Sequence, residues 1–221
     1  MKLDTNQVCL SGTLCELPVY SHESHNRNYY SLFIQSPRLS GLADTIRLLI
    51  PEYMLAQCPG LGQPLRVEGS LRSYNNKSAQ GSRLIVAALV RTLSPGMEAP
   101  ENKVFLTGTL CKQPIYRRTP LGREICDMIV AVNRSFGRAD YLPCITWGAN
   151  ARLADAFTVG DRISLEGRMQ SRQYIKMIDD REVCKTAFEI SVNQLQIMTQ
   201  EDKIEPHISS DCGKNTIGQD L

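Results

Sequence analysis

Residues 102–116, NKVFLTGTLCKQPIY, restate residues 6–20, NQVCLSGTLCELPVY, at an offset of 96. The offset holds at RLSGLAD (38–44) against RSFGRAD (134–140), and becomes 98 at GQPLRVEGSLRSY (62–74) against GDRISLEGRMQSRQY (160–174). VAALVRTL (86–93) then aligns with FEISVNQL (188–195). A period near 100 residues is too long for a solenoid unit and is the size of a small domain. The sequence therefore predicts a duplicated domain, residues 1–98 and 99–198, with SPGMEAPE (94–101) as the Pro- and Gly-punctuated connector and 199–221 as a polar, disordered tail.

Each copy reads as β-rich. Val8, Leu10 and Gly12, and Val104, Leu106 and Gly108, recur at period 2, the pattern of a half-buried strand. YSLFIQS and CDMIVAV, TIRLLIP and YLPCITW, LRVEGSLRSY and ISLEGRMQSRQY, and a last apolar run complete five strands per copy. A short helix is expected before the fourth strand, with helical spacing at Ala151, Leu153, Ala154 and Phe157 and a stop at Gly160. Five strands and one short helix in about 100 residues fit the five-stranded OB barrel, so the fold class is all-β with short helices, two OB barrels in tandem. Gly69 and Gly167 fall mid-strand, where a barrel bends.

Charge narrows the function less than pattern does. Residues 1–98 carry 9 Lys+Arg against 7 Asp+Glu, residues 99–198 carry 14 against 11, and residues 199–221 carry 2 against 5. The two copies are mildly basic, short of the excess typical of many duplex-DNA binders. No apolar run of about 18 residues suggests a membrane span, MKLDTNQ lacks a signal-like apolar stretch, and the eight cysteines form no CxxC pair, so reduced cysteines and a cytoplasmic setting are expected. His22 and His25 lie in the polar loop SHESHNRN without further metal ligands, and Asp179–Asp180 reads as a hairpin loop. No nucleophile motif or phosphate loop appears; catalysis, metal and cofactor are not expected.

The outward faces carry the functional signal. In the third strand of the second copy Tyr141 and Trp147 share one parity; in the fourth, Arg168 and Arg172 face away from Ile163, Leu165 and Met169 and lead to Tyr174. Rings stack unpaired bases at ~1–3 kcal/mol each and arginines neutralise phosphates, so such a face suits single-stranded nucleic acid. Arg134, Phe136 and Arg138 precede the third strand and join the candidate contacts. In the first copy Thr45 and Pro51 stand opposite Tyr141 and Trp147, leaving Tyr74 as its ring, with Arg47, Arg66 and Arg72 as a track for phosphates.

Three motifs in order, NKVFLTGTL, ADYLPCITWG and VGDRISLEGRMQSRQY, resemble the bacterial single-stranded DNA-binding protein (SSB) family. The resemblance covers most of 102–195 and is thinner over 6–93. It implies single-stranded DNA as partner, base stacking at Tyr141, Trp147 and Tyr174, and, because the family assembles four barrels from one-barrel chains, a homodimer of this two-barrel chain. Single-stranded RNA offers the same stacking and phosphate chemistry. The family's acidic C-terminal tip has no counterpart in SSDCGKNTIGQDL. The competing reading is an OB-fold protein-interaction or primosome-like accessory module with weak or no DNA binding.

Overall fold

The computed structural model describes residues 4–75, 84–96, 99–178 and 181–198, with the side chains at 174, 176, 178, 181 and 185 outside the description. The chain begins with β1 (Asn6–Ser24), β2 (Arg27–Pro37), β3 (Ala43–Pro51), β4 (Pro64–Asn75) and β5 (Leu84–Pro95). Antiparallel pairings join β1 to β2, β2 to β3, β4 to β5 and β1 to β4, and a parallel pairing of β3 with β5 closes the barrel. A 3-10 helix, Glu52–Gln57, bridges β3 and β4.

The pairings repeat in the second half. β6 (Asn102–Leu110), β7 (Ile115–Arg118), β8 (Glu124–Asn133), β9 (Ala139–Trp147), β10 (Arg162–Ile178) and β11 (Arg181–Ile197) close through antiparallel β6–β8, β8–β9, β10–β11 and β6–β10 ladders and a parallel β9–β11 pairing. The fold is two tandem OB barrels. In the second barrel the first strand is split into β6 and β7, whereas β1 runs unbroken through three register shifts.

Period-2 patterning fills both barrels. Val8, Leu10, Leu32, Ile34, Ile46 and Leu48 are buried in the first, and Val104, Leu106, Val130, Leu142, Ile163 and Leu165 in the second. Each such side chain contributes about 1.5–3 kcal/mol by leaving water. Gly12 and Gly108 sit where the first strand bends under its neighbour: a Cβ there would stand 2.6 Å from the Gln35 and Ala131 carbonyl oxygens. Gly69 and Gly167 are equally crowded, against Leu89 and Ser191, and each adjoins a β-bulge.

α1 (Ala149–Asp155) corresponds to the helix expected before the fourth strand. Ala151 and Ala154 are its buried residues, Phe157 is buried just past its end, and Leu153 points outward, because a two-residue step carries it to the far side of a 3.6-residue turn. The segment SHESHNRN is strand rather than loop. His25 and Asn26, at φ 51 and 59, make a two-residue turn that keeps β1 and β2 paired out to Ser24↔Arg27. Asp179–Asp180 lies outside the described residues.

β1 and β6 join the barrels. Their antiparallel ladder centres on Val8↔Val104, flanked by Asn6↔Leu106 and Leu10↔Asn102, so each residue meets its own counterpart or that of its partner. β10 lies against β3 and β9 against β4. The connector is held down: the Ser11 hydroxyl donates to the carbonyl of Ala99 at 3.2 Å, and the Ser11 amide to that of Glu101 at 2.7 Å. Among the described residues no helix is long and apolar enough to cross a membrane.

Candidate functional site

β9 presents two rings to solvent. Leu142, Cys144 and Thr146 take its buried parity, and Tyr141 and Trp147 take the other at 51% and 41% exposed. Six residue steps along the strand separate the rings by about 20 Å at ~3.3 Å per residue, with Pro143 half-buried and Ile145 buried between them. Charged pairs border the Trp147 end: Arg152 and Arg118 reach Glu124, which also accepts from the Tyr116 hydroxyl at 2.7 Å, and Arg117 pairs with Asp127 at 2.7 Å. The Tyr116 hydrogen bond, with Arg152 and Arg118 behind it, holds the Glu124 carboxyl below its ordinary value despite partial desolvation.

The candidate arginines are distributed differently from the rings. Arg168 turns into the junction, where Nη1 donates to Asp44 Oδ2 at 2.9 Å. Arg72 does the converse, donating from Nη1 to Asp140 Oδ2 at 3.1 Å, and Arg134 Nε lies 3.2 Å from the same oxygen. Both carboxylates are fully buried. The outward face of β10 is therefore not open along its length: the neighbouring barrel packs on it, and Gln170 and Glu189 are buried with a 2.8 Å hydrogen bond between them. The β9 strip keeps Tyr141 and Trp147 without Arg168.

Arg172 donates to Glu189 at 3.3 Å from a half-exposed position. Arg66 is tied to Glu68 and Glu101, and Arg47 lies 4.8 Å over the Phe33 ring. Tyr74 is half-buried on β4 opposite Ile85. Tyr174 pairs in register with Lys185, and its side chain lies outside the described residues. Phe136 and Arg138 are exposed on the β8–β9 connection, Phe136 completely, at a positive φ of 63 that side chains other than glycine seldom adopt. Arg134, Phe136 and Arg138 come together with Arg72 along one cleft.

Two groups escaped the sequence reading. The hairpin of β1 and β2 carries its own rings: His22 stacks on Tyr29 at 5.2 Å and 12°, and Tyr20 meets Tyr30 edge-on at 5.9 Å. The signal was the Tyr29–Tyr30 pair just past a two-residue turn, hidden once the segment is taken as a loop. Arg91 is the other. It stands at a β-bulge, which alternation does not reveal.

Comparison with known proteins covers both halves unequally. The model of the "Single-strand binding protein family" matches residues 101–198. "Single-stranded DNA-binding protein 2" of Streptococcus agalactiae is 30% identical over 118 residues, 49% of this chain and 90% of that protein. "Single-stranded DNA-binding protein A" of Bacillus subtilis is 36% identical over 80 residues, 33% of this chain and 46% of that protein. The chain thus spans about half the length of the Bacillus and Listeria relatives that it matches. In structure, the wild-type single-stranded DNA binding protein from Thermus aquaticus superposes with a TM-score of 0.70 at 23% identity, over 90% of this chain and 95% of that one. At that identity the likeness is one of fold, and it extends through both barrels.

Proposed function

The chain belongs to the single-strand binding protein family, and we propose that it binds single-stranded DNA with little regard to sequence, by stacking bases on exposed rings and pairing phosphates with arginines. The observation that carries this reading is the outward strip of β9, where Tyr141 and Trp147 are half-exposed on one parity of a strand whose other parity is sealed in the core. A ring of that size left in water at both ends of a barrel strand is costly unless something covers it, and a base has the matching apolar face. Arg72 of β4, with Arg134, Phe136 and Arg138 of the β8–β9 connection, lines a cleft near the Tyr141 end of the strip, where a backbone would follow the stacked bases.

Residues 1–98 and 99–198 are taken as the two units, with the second as the main stacking barrel and the first as a partner through Arg47, Arg66, Arg72 and Tyr74. Two chains would supply four barrels, and the reading is of a protein that coats exposed strands in replication, recombination or repair in the cytoplasm. RNA would bind through the same rings. The tail expected at 199–221 lies outside the described residues.

Titration of Trp147 fluorescence with oligo-dT at two salt concentrations tests the reading. Quenching that weakens as salt rises, with duplex DNA much weaker at equal length, is the expected result. A second reading, a protein-interaction barrel, is favoured by Ile175 and Met177, exposed on the β10–β11 hairpin. Absence of oligonucleotide binding at low salt would select it.

A further inference from the structure

Among the described residues, two clefts lie at the junction. One, of about 400 Å3, is walled by Arg72 and Arg91 of the first barrel and Arg134 of the second, with Asp4, Asn6 and Ser70 beside them. Another, of about 320 Å3, shares Arg72, Arg134 and Ser135 and continues past Phe136 and Arg138 to His25 at the tip of the β1–β2 hairpin. Together they make one groove that crosses from barrel to barrel.

Its charge is unbalanced. Four arginines, Arg72, Arg91, Arg134 and Arg138, line it with one carboxylate, Asp4, which Arg162 engages; a second, the buried Asp140, engages Arg72 and Arg134 from behind. Arg91 Nη2 donates to the Gly69 carbonyl at 3.1 Å, and among the described residues neither Arg91 nor Arg138 has a carboxylate partner. Burial pulls the Arg72 guanidinium below its ordinary value; Asp140 opposes that pull, and Arg134 and Arg91 add to it. Arg134 Nε is buried without a hydrogen-bond partner. Among the described residues the site carries more guanidinium than carboxylate charge.

The opposite side of the junction does not repeat the excess. Arg91 fills the bulge where β5 passes Glu68 and Gly69; Asn193 fills the corresponding bulge in β11 beside Glu166 and Gly167. Arg168 does for Asp44 what Arg72 does for Asp140, and at the offset of 96 Arg138 answers to Leu42, so the unmatched cations are Arg91 and Arg138. Arg38 and Arg168 both commit to Asp44. The two sides of the junction thus differ in charge by Arg91 and Arg138.

We propose that this groove is a phosphate-binding channel that carries the backbone of a single strand across the junction on that side alone, anchored by Arg91 and bordered by Phe136 as a stacking surface. The proposal rests on the single-strand reading above and adds the path between the barrels. Guanidinium groups suit phosphate because their planar fork meets two oxygens at once. An arriving phosphodiester supplies the anionic partner that Arg91 and Arg138 lack among the described residues, and leaves Asp140 in place.

The test uses the full chain and two labelled oligo-dT strands, of about 8 nucleotides, within one barrel's site, and about 30, long enough for both. Arg91→Glu should weaken the long strand by roughly tenfold and lower its salt slope by about 1. Short-strand affinity should stay within about twofold, because the loss of one remote phosphate contact does not reach the β9 rings. Arg91→Lys should recover most of the loss, and Asn193→Glu, on the other side, should change neither strand. Arg91 is exposed, and a melting curve checks that the variant is folded. An unchanged long-strand affinity, an equal loss on both strands, or an equal effect of Asn193→Glu overturns the channel while leaving single-strand binding intact. Wild-type protein that binds neither strand overturns both.

Discussion

Asp44 and Asp140, 96 residues apart, occupy the same place in the two barrels, and each is wholly buried between an arginine of its own barrel and one from the other. Each also accepts a backbone amide from across the junction, Asp44 from Ser171 and Asp140 from Ser73, both at 2.8 Å. The same serines return the contact: Ser171 Oγ accepts from the Thr45 amide at 3.0 Å and Ser73 Oγ from the Tyr141 amide at 2.7 Å. With Val8 opposite Val104 at its centre, the junction is built like a two-fold interface, though one chain makes both sides.

Asp44→Asn and Asp140→Asn should each lower the unfolding free energy by about 2–3 kcal/mol. Losing one member of a buried ion pair costs ~3–5 kcal/mol when the other charge is stranded. Here the arginines reach water, with Arg38 and Arg168 about a quarter exposed, which reduces the cost. Urea unfolding followed by Trp147 fluorescence and by circular dichroism measures it, and loss of coincidence between the two signals would mean that the barrels had uncoupled.

Acid should weaken the junction through Asp44. Burial pushes its carboxyl up, but the Arg38 side chain, the Ser171 amide and Arg168 outweigh burial and hold it below the ordinary value. A depressed folded pKa contributes stability that is fully present above the unfolded value near 4 and is lost as pH falls through the folded one. Wild-type stability should therefore fall more steeply than that of Asp44→Asn between about pH 5 and pH 2, the two curves converging at the acid end. Parallel curves would refute the linkage.

The barrels were legible because period-2 alternation and the repeat are local signals. Val8, Leu10, Ile163 and Leu165 are buried as the pattern requires. The junction was not legible for a physical reason: alternation tells inside from outside a barrel but not what covers the outside. Arg168 and Gln170 read as solvent-facing from their parity, and they are outward, yet the second barrel's outward face meets the first. The site divides in the same way. Tyr141 and Trp147 stand on the parity their sequence gives, while Arg72 and Arg168 meet carboxylates from distant segments that only the fold brings near.

Trp147→Ala should weaken oligo-dT binding by roughly tenfold or more, since a stacked base is worth ~1–3 kcal/mol and about 1.4 kcal/mol is a factor of ten. Tyr74→Ala should cost less, because Tyr74 is already half-buried. Anisotropy of a labelled strand is the readout, as the variant loses the only tryptophan. Trp147 is 41% exposed at a strand end, so its removal should cost little stability. Equal losses from the two variants would put the first barrel on the same footing as the second.

Residues 99–198 expressed alone should form a homodimer through β6. Cutting the chain bares the β6 edge, a row of unpaired amides and carbonyls that favours another strand. A second copy fits that edge, because the junction already pairs each residue with its own counterpart: Val104 would face Val104 where Val8 stood. Asp140 of one copy would meet Arg168 and the Ser171 amide of the other, as Asp44 does now, and Arg134 would take the place of Arg38. Closed two-fold pairing also stops at two copies, so the fragment should stay soluble. Light scattering should report twice the fragment mass at micromolar concentration, and Asp140→Asn in the fragment should shift it toward monomer or unfolded chain. A well-folded monomeric fragment would show that the β1–β6 ladder and the two buried carboxylates are products of tethering alone.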